Sequence, residues 1–169
     1  MSNKPFLNII RFFLILFVQI VLLNNIQLWG LFTPFLYILF ILLLPVNTPK
    51  WLIIILAFIT GIIVDIFDNT IGIHTFSLVF IGFLRPFLLR IWAPHDGFDI
   101  HKELLPHEYG YMWFLKYSFL MVAIHQLILF TMEAFSFENM NIVLSRWIVN
   151  TIFTELVILI TVFATEKKH

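Results

Sequence analysis

Residues 51–74 read WLIIILAFITGIIVDIFDNTIGIH. From Trp51 to Phe67 only Thr60 and Asp65 carry polar side chains. A helix rises 1.5 Å per residue, so a run of this length covers most of the roughly 30 Å hydrocarbon layer of a bilayer. The rest of the chain agrees. Of 169 residues 61% are hydrophobic and 12% charged, with 21 phenylalanines and a mean hydropathy of +0.99. A soluble domain of this size cannot hide that much apolar surface, so lipid must act as solvent. Formal net charge is zero, which gives nucleic acid no electrostatic footprint, and the absence of cysteine excludes disulfides and thiolate chemistry.

Working outward from this run, apolar stretches predict an all-α integral membrane protein: one transmembrane domain spanning residues 1–169, a bundle of about six helices. They are expected near 6–23, 31–46, 51–67, 71–92, 111–132 and 142–164, with a cytoplasmic loop at 93–110. Lys4 and Arg11 before the first run suggest a signal peptide, but Asn24-Asn25-Ile26-Gln27 offers no small-residue cleavage site, and a retained helix is expected. Pro34 falls in the first turn of the second span, where proline is tolerated, and Pro45-Val46-Asn47-Thr48-Pro49 ends it. Spans two and three are short for a full crossing. Barrel strands would alternate, and none of these runs does.

Charge then orients the bundle. With the N-terminus inside, Lys4, Arg11, Lys50, Arg85, Arg90, Lys102, Lys116, Lys167 and Lys168 face the cytoplasm or its boundary, and only Arg146 lies outside. That asymmetry requires an even number of crossings and predicts both termini in the cytoplasm. The tryptophans repeat the pattern: Trp29 and Trp147 mark the outer interface, and Trp51, Trp92 and Trp113 the inner one.

Asp65 lies four residues after Gly61, on the same helical face. A carboxylate facing lipid costs roughly 2.5–3.5 kcal/mol at mid-helix, so Asp65 is expected to face the bundle. Gly61 opens that face to a close neighbour. Asp68-Asn69-Thr70 reads as a tight turn, with Gly72 and His74 opening the next helix. Two roles fit Asp65 and His74: stapling these helices together, or binding and proton relay.

The run AFITGIIVDIFDNTIGIHTFS, residues 57–77, resembles the signature of the rod shape-determining MreD family. Gly61, Asp65, Asn69, Gly72 and His74 match its elements in order, and Thr33-Pro34 is similar to the opening of the family's second helix. The larger polar segment at 93–110 departs from the pattern. The resemblance implies a non-enzymatic, cofactor-free scaffold in the bacterial inner membrane. Its expected partners, besides membrane lipid, are MreC, the MreB filament, the polymerase RodA and RodA's partner transpeptidase. The family's fold is similar to the substrate-binding subunits of energy-coupling vitamin transporters, so a small-ligand pocket is the alternative.

Other polar residues have simpler expectations. His95, Asp96, Asp99, His101, Glu103, His107 and Glu108 match no compact metal signature, so a solvated loop or interfacial helix that docks a cytoplasmic partner is expected. Ser118, Met121 and His125 form a stripe on the fifth span, facing Asn150, Thr151, Thr154 and Glu155 on the sixth. A hydrogen-bonded seam is expected there, or a His125–Glu155 pair suited to proton coupling. Arg146 is expected to pair with Glu133 or Glu138. No nucleophile elbow, phosphate loop or zinc-protease motif occurs, and no enzyme is expected.

Overall fold

A computed structural model describes residues 4–24, 33–94, 97–99, 102–134 and 140–165. Trp29, His95, Asp96, His101, Glu138, Lys167 and Lys168, together with the turn at 25–27, lie outside the described residues. Among the described residues every regular element is helical. Helix α1 (Lys4–Phe17) continues as a π-helical stretch, Val18–Leu23. Then come α2 (Ile38–Leu43), α3 (Lys50–Asp68), α4 (Ile73–Ile91), α5 (Pro106–Tyr109), α6 (Tyr111–Ala134) and α7 (Met140–Thr165).

Five of these stretches are long and apolar enough to cross a membrane: Phe6–Leu23, α3, α4, α6 and α7. Their outer faces carry bare apolar side chains, such as Phe13 at 65% exposure, Trp51 at 64%, Ile66 at 67% and Ile160 at 66%. Water would not tolerate apolar surface on that scale, and hydrocarbon does. The chain is a multi-pass helical membrane protein by this criterion.

The second span differs from its sequence expectation. In place of a helix over 31–46, α-helix is confined to Ile38–Leu43, and Thr33 to Tyr37 is non-helical. Every residue from Pro34 to Leu44 is buried. A stretch this greasy reads as a lipid-facing helix by hydropathy alone, yet it is the centre of the core. Surrounded by protein, it takes polar partners from neighbouring helices and is released from the need to be helical.

Helices α3 and α4 form the tightest pair. Asn69 closes α3 in the left-handed conformation (φ 54°), and Gly72 (φ 75°) precedes α4. Both residue types suit a positive φ, which is why this turn needs only four residues between the helices. Further down, a Cβ added at Gly61 would stand 2.9 Å from the Thr75 backbone nitrogen and closer still to its Cα. Gly61→Ala must therefore push the helices apart. Overpacking costs about 1–3 kcal/mol, and the expected result is a clear drop in melting temperature of the purified protein; an unchanged value would contradict the close approach.

The 93–110 loop is more tightly docked than a solvated loop. Leu104 is fully buried, and Phe98, Tyr109 and Trp113 pack ring against ring with centroids 5.2–5.6 Å apart. The Trp113 indole donates to the Trp92 carbonyl at 2.9 Å. Arg11 pairs with Glu103 at 3.0 Å and Lys102 with Glu108 at 2.9 Å. The Glu108 carboxylate raises the Lys102 pKa from its ordinary value. Among the described residues no group of three or more metal-ligating side chains converges.

Candidate functional site

The polar groups of the bundle are concentrated inside it, because lipid offers them no partner. Most of them fall into three connected sets and a seam between α6 and α7.

The first is the clasp at the α3–α4 turn. Asp65 is buried, and its carboxylate accepts four hydrogen bonds. Oδ1 takes the Thr70 hydroxyl at 2.5 Å and the His74 backbone N–H at 3.1 Å. Oδ2 takes the Thr75 N–H at 2.9 Å and the Thr75 hydroxyl at 2.5 Å. The N–H groups at the start of a helix have no partner in the helix itself, and a carboxylate from the preceding helix supplies one. Around this clasp lie Gly61, which stands against Thr75, and Asn69 and Gly72 in the turn. Of the two roles open to Asp65, the hydrogen bonds describe the staple.

The second set holds the non-helical segment, and Gln19 is its hub. Fully buried, Gln19 accepts the N–H groups of Leu36 (2.6 Å) and Tyr37 (3.3 Å) through Oε1. Its Nε2 donates to the Pro34 carbonyl at 3.1 Å and to Asn24 at 2.9 Å. From the other side, Asn150 accepts the Thr33 N–H at 3.1 Å and Thr154 the Phe35 N–H at 3.2 Å. Four consecutive non-proline N–H groups, those of residues 33, 35, 36 and 37, are met by side chains from α7 and the π-helical stretch. The wider π turn accompanies this insertion, with Asn24 N–H bonded to the Gln19 carbonyl five residues back. Gln19 and Gln126 were not singled out by sequence reasoning; the only signal was one amide in the apolar run 12–23 and one in α6.

The third set is a chain of aromatic and imidazole groups. Asp68 lies 3.4 Å from His74 Nε2, His74 Nδ1 lies 2.7 Å from the Tyr37 hydroxyl, and that hydroxyl lies 3.1 Å from His125 Nε2. Tyr37 and His125 are fully buried, and His125 Nδ1 has no hydrogen-bond partner among the described residues. Asn24 also donates to Asp68, at 2.5 Å.

The seam between α6 and α7 is present, with Gln126 in the part expected of His125. Ser118 donates to Glu155 at 2.5 Å, and Gln126 donates to Thr154 at 2.7 Å and to the Asn150 carbonyl at 3.2 Å. His125 turns away to Tyr37, so it does not pair with Glu155. Arg146 grips Glu133 through both terminal nitrogens at 3.1–3.2 Å.

Where the first and third sets reach the Asp68 end of the bundle they border a cavity of about 260 Å³, lined by Asn24, Asp68, Thr70, His74, Glu133 and Arg146. Both charges and several donors face it.

Comparison with known protein families, characterised proteins and solved structures returns no significant match. The site therefore stands on its own geometry. At the opposite end Arg85 is fully buried, a cation that charge counting had placed at the inner boundary.

Proposed function

We propose that this chain is a scaffold subunit of the bacterial cell-elongation machinery, held in the inner membrane by six passes with both termini cytoplasmic. Five passes are the long helices. The sixth is the buried segment 33–44, whose start is hydrogen-bonded to Asn150 on α7 and whose end is hydrogen-bonded to Arg85 on α4. MreC is the proposed direct partner, with MreB, RodA and RodA's transpeptidase in the wider assembly.

The observation that supports this reading is the complete engagement of Asp65. The motif behind the MreD resemblance works as architecture: its carboxylate clasps two helices and its glycine lets them touch. A scaffold needs that rigidity and leaves its lipid-facing sides free for lateral contacts, where Phe76, Phe80, Phe83 and Phe87 line α4. Affinity purification from membranes tests the reading. MreC is expected to accompany the tagged chain, and depletion is expected to round elongated cells; recovery without any wall-synthesis protein, or normal shape after deletion, would argue against it.

A second reading, a small-ligand-binding subunit similar to the substrate-binding components of energy-coupling transporters, is favoured by the polar cavity at the Asp68 end. It predicts a compound retained through purification, or thermal stabilisation by a vitamin-like molecule that Arg146→Gln abolishes.

A further inference from the structure

Three cations share a pocket at the other end of the bundle. Lys50, Arg85 and Arg90, with the Thr48 hydroxyl, line a cavity of about 300 Å³ between the start of α3 and the end of α4. No carboxylate among the described residues lines it. Arg85 is fully buried, and its partners are neutral: Nε donates to the Tyr117 hydroxyl at 3.1 Å, and a terminal nitrogen donates to the Leu44 carbonyl. Among the described residues no ion pair includes Lys50, Arg85 or Arg90. Lys50 instead lies over the Phe87 ring, 5.4 Å from its centre. The first N–H groups of α3 add the positive end of a 19-residue helix on the same side.

A buried guanidinium without a counter-charge is costly, and the two further cations beside it raise the local potential. An anion relieves all three. We infer that the pocket binds the phosphate of an anionic phospholipid headgroup. Phosphate suits the donor set, since arginine presents a planar fork and lysine a point charge, and threonine a hydroxyl. The surroundings select lipid over a soluble phosphate. Ile53, Pro86 and Leu89 form apolar walls, and Trp51, Phe87 and Ile91 are exposed beside the cationic residues as acyl chains require. Basic pockets between membrane helices hold headgroups in this manner. The inference is independent of the assembly role and needs only the membrane-spanning fold.

Native mass spectrometry of the detergent-purified full chain tests it, with phosphatidylglycerol, phosphatidylcholine and glycerol 3-phosphate as probes. Lys50 and Arg90 are exposed, so Lys50→Gln with Arg90→Gln leaves the core and Arg85 intact. The expected result is retained phosphatidylglycerol but not phosphatidylcholine, with at least a tenfold weaker retention in the double variant. A charge-matched control, Lys102→Gln with Lys116→Gln, is expected to keep the lipid. Equal retention of the two lipids, unchanged retention in the double variant, or an equal loss in the control would overturn the site. Displacement of phosphatidylglycerol by millimolar glycerol 3-phosphate would overturn its assignment to a lipid.

Discussion

Asp65→Ala is expected to lose most of its folded population on extraction from the membrane, while Asp65→Asn falls between it and the parent. Alanine leaves four donors without an acceptor, among them the buried N–H groups of His74 and Thr75. A buried donor left unpaired costs about 1–3 kcal/mol, so the two backbone groups alone put the loss on the order of 2–6 kcal/mol. That approaches the whole stability of many domains, roughly 5–15 kcal/mol. Asparagine keeps one oxygen and hence about half of the clasp. Thermal melting of the three purified proteins separates the two roles that the sequence left open. A proton relay needs an ionisable group, so it would make asparagine as damaging to function as alanine while sparing stability; a staple makes stability follow the acceptors.

The second large effect is expected at Gln19. Leucine has a similar volume but accepts and donates nothing, so Gln19→Leu frees the Leu36 and Tyr37 N–H groups and the Pro34 carbonyl together. At membrane depth no water replaces them, and the loss is again about 1–3 kcal/mol for each group left bare. The segment they belong to should loosen first, because the other side chains that accept its backbone N–H groups, Asn150 and Thr154, reach only Thr33 and Phe35. Hydrogen exchange followed by mass spectrometry is expected to show faster exchange in peptides covering 33–44 and little change in α6. Uniform exchange across the variant would mean that Gln19 is dispensable to this segment.

These two residues also mark how far the sequence could be read. Asp65 was legible because its partners are nearby: Gly61 fixes its face, and the polar turn to His74 announces the next helix. Gln19 was not, since a single amide among the eleven apolar neighbours of the run 12–23 carries no period, and its backbone partners lie 15–18 positions away in a stretch that looks like an ordinary span. Hydropathy reports how greasy residues 31–46 are and says nothing about whether their backbone is paired within a helix or by Asn150 and Thr154 more than a hundred positions later. The same blindness to tertiary partners assigned His125 to the seam with the last helix, or to a pair with Glu155, when Tyr37 claims it. It also gave no sign that Arg85 is buried, with the Leu44 carbonyl after α2 among its acceptors. The long helices, whose evidence is composition over many residues, were legible throughout.

Six passes require segment 33–44 to cross the bilayer inside the protein. The chain has no native cysteine, so single cysteines at Ser2, Asn47 and Asn69 can be labelled cleanly with a membrane-impermeant thiol reagent. Labelling of Asn69→Cys in intact cells, with Ser2→Cys and Asn47→Cys reacting only after permeabilisation, is the expected result. Finding Ser2→Cys and Asn47→Cys on opposite sides of the membrane would contradict it, for the buried segment would then return to the face it left.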